Sequence, residues 1–262
     1  MIASVAKYFS RSLHLRPFWV VFPNQLKLLP KRERMEVRLR NGGGTFMVRP
    51  NTRDINEVLA VGLGYEYPPA LFDALPPHST LIDCGAHIGT FAVFVALRNP
   101  TCTIAAIEPE DHNCALLEEN ITRNGLSDRV KVCHGAVAPH DGNFELRLSN
   151  TNNGHSLTQP MNEGRRSQPT RGYSLGGIVA QHCPDRPYAV KMDIEGAEYD
   201  VLPQSRPAIE HALFVVMEWH VANQTKAERW GWLTDYFRSL GFEGHSIHES
   251  RWGGVALWEK RR

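Results

Sequence analysis

Three carboxylates crowd into six positions at Asp193, Glu195 and Glu198, in the stretch KMDIEGAE that follows the apolar run Tyr188-Ala189-Val190. Acids at the end of a buried strand can do one of three things. They can hold a hard divalent cation, which prefers carboxylate oxygens. They can take a proton from a substrate. They can also sit in the first turn of the next helix, where the N-terminal dipole favours negative charge by about 0.3–1 kcal/mol each. Glu195 and Glu198 are three apart, and the helix-start role suits Glu198 best. A further strand, FVVMEWH, delivers Glu218 and His220. A histidine, with an ordinary pKa of about 6.5, is well matched to proton transfer near neutrality.

A second constellation lies upstream. The run Asp83-Cys84-Gly85-Ala86-His87-Ile88-Gly89 follows a strand and opens a helix. Its spacing is G-x-x-x-G, not the G-x-G-x-x-G of dinucleotide binding. A glycine turn lets backbone approach a ligand, and the helix start offers unpaired N–H groups. Glu108 stands at the end of the next strand, where an acid commonly accepts hydrogen bonds from ribose hydroxyls. An aspartate in the first loop would repel a pyrophosphate and suits an ammonium. Together these features fit a nucleoside carrying an amino-acid tail, as S-adenosylmethionine does.

The elements that must position these residues alternate. Strands are expected at Thr80–Cys84, Thr103–Ile107, Val130–Cys133, Tyr188–Met192 and Leu213–Met217. Helices are expected at Gly89–Arg98, Asp111–Asn124, Leu175–His182, from Ala197, and at Thr225–Leu240. Final strands lie near Phe242–Ile247 and Gly254–Trp258. Such alternation implies a mostly parallel sheet with helices on both faces. Upstream, Met35–Val48 reads as a hairpin about Asn41-Gly42-Gly43-Gly44, and Asp54–Leu63 as a helix. Asn143–Leu148 alternates like an edge strand. Residues 149–172 are polar and rich in Asn, Gly, Ser and Pro, which predicts a long loop.

The stretches LIDCGAHIGTF, AIEPEDHNCALLEENITRNGL, VKVCHGAVAPHDGNFEL, VKMDIEGAEYDVL and FVVMEWH resemble the FkbM-type S-adenosylmethionine-dependent methyltransferases. TRDINEV and GYEYP resemble that family's lead-in. The resemblance implies a class I methyltransferase fold: an α/β, Rossmann-like, doubly wound sheet of strand order 3-2-1-4-5-7-6. It implies methyl transfer to a hydroxyl of a sugar, glycolipid or secondary metabolite. By the same resemblance Asp83, Gly85 and Gly89 line the methionine end of the cofactor, with His87 where relatives commonly have Asn. Glu108 holds the ribose, Pro109 and Ala136 border the adenine, and Glu66 caps the methionine side. The implied order puts Asp193 beside the reactive methyl and brings Glu218 and His220 out of the adjacent strand.

An alcohol is a poor nucleophile near neutral pH, so a base must receive its proton. His220 is the first choice and Asp193 the alternative. A third arrangement has Asp193 and Glu218, with His220, holding Mg2+ against the acceptor oxygen. Trp219, Trp230, Trp232 and Trp252 offer either sugar-stacking faces or core packing.

Composition is that of an ordinary globular chain, 42% hydrophobic and 22% charged over 262 residues. A net charge of +1 gives no reason to expect a nucleic-acid partner. Five cysteines without CxxC spacing point to small buried hydrophobes in a reducing compartment. The organisation expected is an N-terminal helix-and-hairpin extension over residues 1–70 and a cofactor-binding domain over residues 71–262. The chain is expected to be cytoplasmic, with no transmembrane segment. Lys7, Arg11 and Arg16 could lie along one side of an amphipathic helix for peripheral membrane contact, or that helix could pack on the domain or in a homodimer. The principal reading is an O-methyltransferase for a small hydroxylated acceptor. The alternatives are a nicotinamide-dependent oxidoreductase on the same fold and a non-catalytic cofactor-binding module.

Overall fold

Thr80–Cys84 and Tyr188–Met192 are buried at every position, as strands covered on both faces must be. The computed structural model describes residues 12–30, 33–40, 42–73, 75–149, 154–157, 166–221 and 224–261. In chain order its first half contains β1 (Leu15–Arg16), α1 (Val21–Gln25), β2 (Met35–Leu39), β3 (Thr45–Val48), α2 (Asp54–Gly62), α3 (Pro69–Asp73), β4 (Thr80–Cys84), α4 (Thr90–Arg98), β5 (Thr103–Glu108), α5 (Asp111–Arg123) and β6 (Val130–His134). The second half contains β7 (Ala136–Ala138), β8 (Gly142–Arg147), β9 (Ser167–Ser174), α6 (Leu175–His182), β10 (Tyr188–Met192), α7 (Glu198–Gln204), α8 (Arg206–Glu210), β11 (Phe214–His220), α9 (Lys226–Ser239), β12 (Phe242–Ser250) and β13 (Gly253–Lys260).

The main sheet runs β6-β5-β4-β10-β11-β13-β12. Counting only its own strands, that is 3-2-1-4-5-7-6. All pairs from β6 to β11 are parallel, and β13 is antiparallel to both neighbours. This is the class I methyltransferase arrangement. The winding reverses between β4 and β10, so the loops after these two strands diverge and leave a crevice at their carboxyl ends.

On one face of the sheet a single hydrophobic cluster includes Leu15, Val37 and Phe46 from the N-terminal elements together with Leu81 and Phe91. Asn120 of α5 and Asn124, which ends that helix, fasten β3 to it. The Met47 N–H donates to Asn120 Oδ1 (2.6 Å) and the Thr45 N–H to Asn124 Oδ1 (2.9 Å). Asn120 Nδ2 also reaches the Ile88 carbonyl (2.8 Å), so the hairpin and the glycine loop share one anchor.

Two sequence expectations need correction. The predicted loop over residues 149–172 ends early, because Ser167–Ser174 forms β9 between β7 and β8. Its polar sequence hides the strand: backbone pairing with β8 selects it, and the Phe144 ring covers Gly172, where any Cβ would clash. The remaining loop falls partly outside the described residues. Arg16 lies in β1, paired with Arg38 of β2, and not on a helix; Lys7 and Arg11 lie outside the described residues. No helix among the described residues is long and apolar enough to cross a membrane.

Candidate active site

The crevice is a cavity of about 520 Å³. Its floor is set by contact between two strand-end loops. The Asp193 N–H donates to the Cys84 carbonyl (3.0 Å), and the Gly85 and Ala86 N–H groups both donate to Ile107 O (3.0 and 2.9 Å). Gly85 has φ +80°, and a Cβ there would lie 1.9 Å from the Asp193 carbonyl oxygen. Gly85→Ala is therefore expected to lower the thermal midpoint by several degrees, since a left-handed non-glycine residue alone costs about 1–3 kcal/mol. A melt indistinguishable from the native one would show that the two loops do not meet this way.

Glu108, at the end of β5, is buried. Its Oε2 accepts the His87 N–H (2.8 Å), and its Oε1 accepts the Glu110 N–H (3.0 Å) and Asn113 Nδ2 (3.2 Å). Burial raises its pKa, opposed by His87 and by these donors. The carboxylate is thus fixed in direction yet keeps lone-pair capacity toward the cavity.

Of the residues expected from the sequence, Glu66, Gly85, His87, Glu108 and Pro109 line the cavity, as do Ala136, Asp193, Glu218 and His220. Asp83 and Gly89 are placed elsewhere. Asp83 is fully buried, and its Oδ1 lies 3.2 Å from Lys191 Nζ. Lys191 fills the wall position instead, donating to the Gly85 carbonyl (2.8 Å). Burial opposes the Lys191 charge, but Asp83 and Asp193 outweigh it and hold the ammonium above its ordinary pKa. Burial raises Asp83 to about 6 despite the lysine. Gly89 caps α4 with φ +82° and packs against Leu117. The His87 ring turns toward α2, with Nδ1 2.5 Å from Glu57.

Around Asp193 the loop and β11 bring together Glu195, Glu198, Glu218 and His220. Glu198 is fully buried, and its Oε1 accepts His220 Nδ1–H (3.2 Å) and the Gly196 N–H (3.2 Å). One side chain thus both caps the turn and fixes the imidazole. His220 Nε2 lies 3.5 Å from Glu195 and 3.9 Å from Glu218. Burial works against the imidazolium, yet Glu198, Asp193 and Glu195 prevail and push the His220 pKa up to about 10. Glu218 and Glu195 are raised by burial and then by Asp193. Glu66 is raised to about 7 for the same reasons.

Among the described residues, the group with metal-ligand spacing is Asp193, Glu195 and His220, their ligand atoms within 4.8 Å of one another. Glu218 is not in that group. Magnesium has no support in this geometry: the set includes an imidazole, which favours transition metals. The tryptophans separate clearly. Trp219 is buried in the core, whereas Trp252 is 63% exposed and lines the cavity.

Sequence reasoning did not assign Lys191, Tyr67 or the histidine-holding role of Glu198. Tyr67 lines the cavity with its hydroxyl buried and without a protein hydrogen-bond partner, and Asp193 Oδ1 is in the same state. Because both residues line the cavity, a ligand or water held there can partner these atoms. The motif strings were the available signal for Lys191. Glu195 was marked as one of the three crowded acids, but not its left-handed backbone, at φ +53°.

The model of the methyltransferase FkbM domain matches residues 83–243, more than half of the chain. The chain belongs to the FkbM methyltransferase domain family. This FkbM-domain chain is 24% identical to "Methyltransferase sdnD" of Sordaria araneosa over 49% of this chain and 61% of that protein. It is 37% identical to "31-O-demethyl-FK506 methyltransferase FkbM" of Streptomyces tacrolimicus over 22% of this chain and 23% of that one. The matches therefore span less than two thirds of each relative. A solved structure of M. jannaschii TYW2 in complex with AdoMet overlays with a TM-score of 0.48 at 15% identity, covering 89% of this chain and 90% of that one.

Proposed function

We propose that this methyltransferase uses S-adenosylmethionine to methylate a hydroxyl of a small acceptor: a sugar, a glycolipid or a secondary metabolite. The observation that carries the reading is the charge of the cavity. Glu57, Glu66, Glu108, Asp193, Glu195 and Glu218 line it, against Arg53, Lys191, His87 and His220; crowding and burial raise Glu66, Glu195 and Glu218, and a cation bound among them draws them back to the ionised form. Such a wall attracts a cationic ligand and repels a pyrophosphate, which disfavours the nicotinamide alternative.

When bound, S-adenosylmethionine supplies a methyl group on a positively charged sulfur. Glu108 would accept its ribose hydroxyls, Pro109 and Ala136 would border the adenine, and Glu66 with Asp193 would face the ammonium, since Asp83 is taken by Lys191. The hydroxyl-bearing acceptor would enter past Trp252 and lie against His220 Nε2. The Nδ1–H donated to Glu198 fixes the ring so that, in its neutral form, Nε2 carries the lone pair. Neutral His220 would then receive the hydroxyl proton. A cationic ligand nearby lowers the imidazole pKa and so favours that form.

Calorimetry of the native chain with S-adenosylhomocysteine tests the reading, followed by transfer of labelled methyl to a panel of sugars, glycolipids and polyhydroxylated metabolites. Binding and label in a hydroxyl-bearing product are expected. Absence of binding, or displacement of the ligand by NADH at equal concentration, sinks it.

A further inference from the structure

The described residues from Leu13 to Leu28 carry an unusual surface. Val20, Val21 and Asn24 point into the protein, whereas Phe18, Trp19, Phe22 and Leu26 are each about half exposed. Positions 18, 19, 22 and 26 share one face at helical spacing, so the outward side of this turn and of α1 is wholly apolar. Leu28 is 69% exposed, and Leu13 adds to the same segment. A contiguous apolar and aromatic patch of this kind marks an interaction site.

The mount is rigid. Asn24 Nδ2 donates to Thr52 O (2.9 Å), and its Oδ1 accepts the Asn51 N–H (2.6 Å). Asn51 Oδ1 in turn accepts the Leu29 N–H (3.0 Å). Gln25 donates to Asn56 of α2, and Asn56 lines the cavity. The patch is therefore one helix away from the site.

Its flank is cationic. Arg16 and Arg38 stand directly opposite each other in the β1–β2 pair. Leu15 and Leu39, next along the strands, are buried, so both arginines point outward. Like charges in register destabilise a strand pair unless an anion offsets them. Arg16, Lys27 and Arg38 are exposed, and among the described residues none of the three takes part in an ion pair. Of the 29 lysines and arginines nine fall in residues 1–40, against two of the 28 acids. A chain of net charge +1 thus carries +7 there and −6 elsewhere.

We propose that this face docks on an anionic lipid bilayer, with Phe18, Trp19, Phe22 and Leu26 entering the interface and Arg16, Lys27 and Arg38 meeting the headgroup phosphates. Aromatic side chains favour the interfacial layer, and a cationic rim beside an apolar face is the composition of peripheral membrane binders. A second copy of the chain would bury the apolar face but bring the like-charged rims together, so the charge favours lipid. The inference does not depend on the choice of acceptor, and it places the cavity close to the membrane surface.

The test is co-sedimentation of the full chain with vesicles of pure phosphatidylcholine and with vesicles of equal parts phosphatidylcholine and phosphatidylglycerol. Partition onto the anionic vesicles, lost at high salt, is expected. Arg16→Gln with Arg38→Gln should weaken it roughly 30-fold, and Trp19→Ser with Phe22→Ser should abolish it. Both pairs alter exposed side chains, so their melts and S-adenosylhomocysteine binding should match the native chain. The proposal fails if the native chain stays in the supernatant with anionic vesicles, or if neither pair changes partition. It fails also if the chain only self-associates, through a contact that the tryptophan–phenylalanine pair removes.

Discussion

Replacing His220 with alanine is expected to lower kcat about 10²–10⁴-fold at neutral pH, with little change in S-adenosylhomocysteine affinity. The reasoning rests on the imidazole's place between Glu198 and the cavity. The same arrangement predicts the pH profile. A base must be neutral to act, and the neighbouring acids push the His220 pKa up to about 10 in the ligand-free protein. The neutral fraction of the free protein therefore grows as pH rises toward that value, and kcat/KM for S-adenosylmethionine, which reports the free protein, should climb through the alkaline range. Glu198→Gln removes the charge that contributes most after burial, so it should shift the climb to lower pH by about 1–3 pH units. Rate profiles of the native and Glu198→Gln proteins, with an NMR titration of the His220 ring, check this. A native profile that is flat from neutrality upward, or one unmoved by Glu198→Gln, removes His220 as the base and leaves Asp193.

The second large effect is expected at Glu108. Glu108→Ala should weaken S-adenosylhomocysteine binding about 100-fold, the loss of charge-assisted hydrogen bonds to two ribose hydroxyls. It also strips the His87 and Glu110 N–H groups of their acceptor, so a lower melting temperature should accompany the lost affinity. Adenine alone, which has no ribose, should bind the native and variant proteins within a few-fold of each other. Full affinity for S-adenosylhomocysteine in a folded Glu108→Ala protein would sink the ribose assignment, and an equal loss for adenine would assign Glu108 to loop structure only.

What the sequence disclosed follows from the physics of each element. β4 and β10 were legible because strands buried on both faces read as short apolar runs between turn residues. The seven-strand order was not derivable from those runs; it came through family resemblance. Glu108 was visible because an acid closing an apolar strand has few structural uses. Asp83 was misplaced because its partner is fixed by register: Lys191 stands directly across from it in the sheet, a relation no local pattern encodes. Glu198 was read as a helix-start acid, and it does accept the Gly196 N–H. Its second role depends on β11 carrying His220 alongside, a tertiary fact. The cationic character of the N-terminal segment could be read directly, but its aromatic face emerged only once Val20, Val21 and Asn24 were seen to turn inward.

The Asp83–Lys191 contact has a mechanical meaning as well. It joins β4 to β10, the seam where the two halves of the doubly wound sheet meet and where the chain makes no direct crossover. Parting that seam while its surroundings stay packed would leave two oppositely charged groups unpaired where water does not reach, at a cost of several kcal/mol for each ion. The halves are therefore coupled: neither can peel away cheaply while the other stays folded. In hydrogen exchange, the amides of β4, β5, β10 and β11 should open as one cooperative unit, and the floor of the cavity inherits the rigidity of the whole sheet.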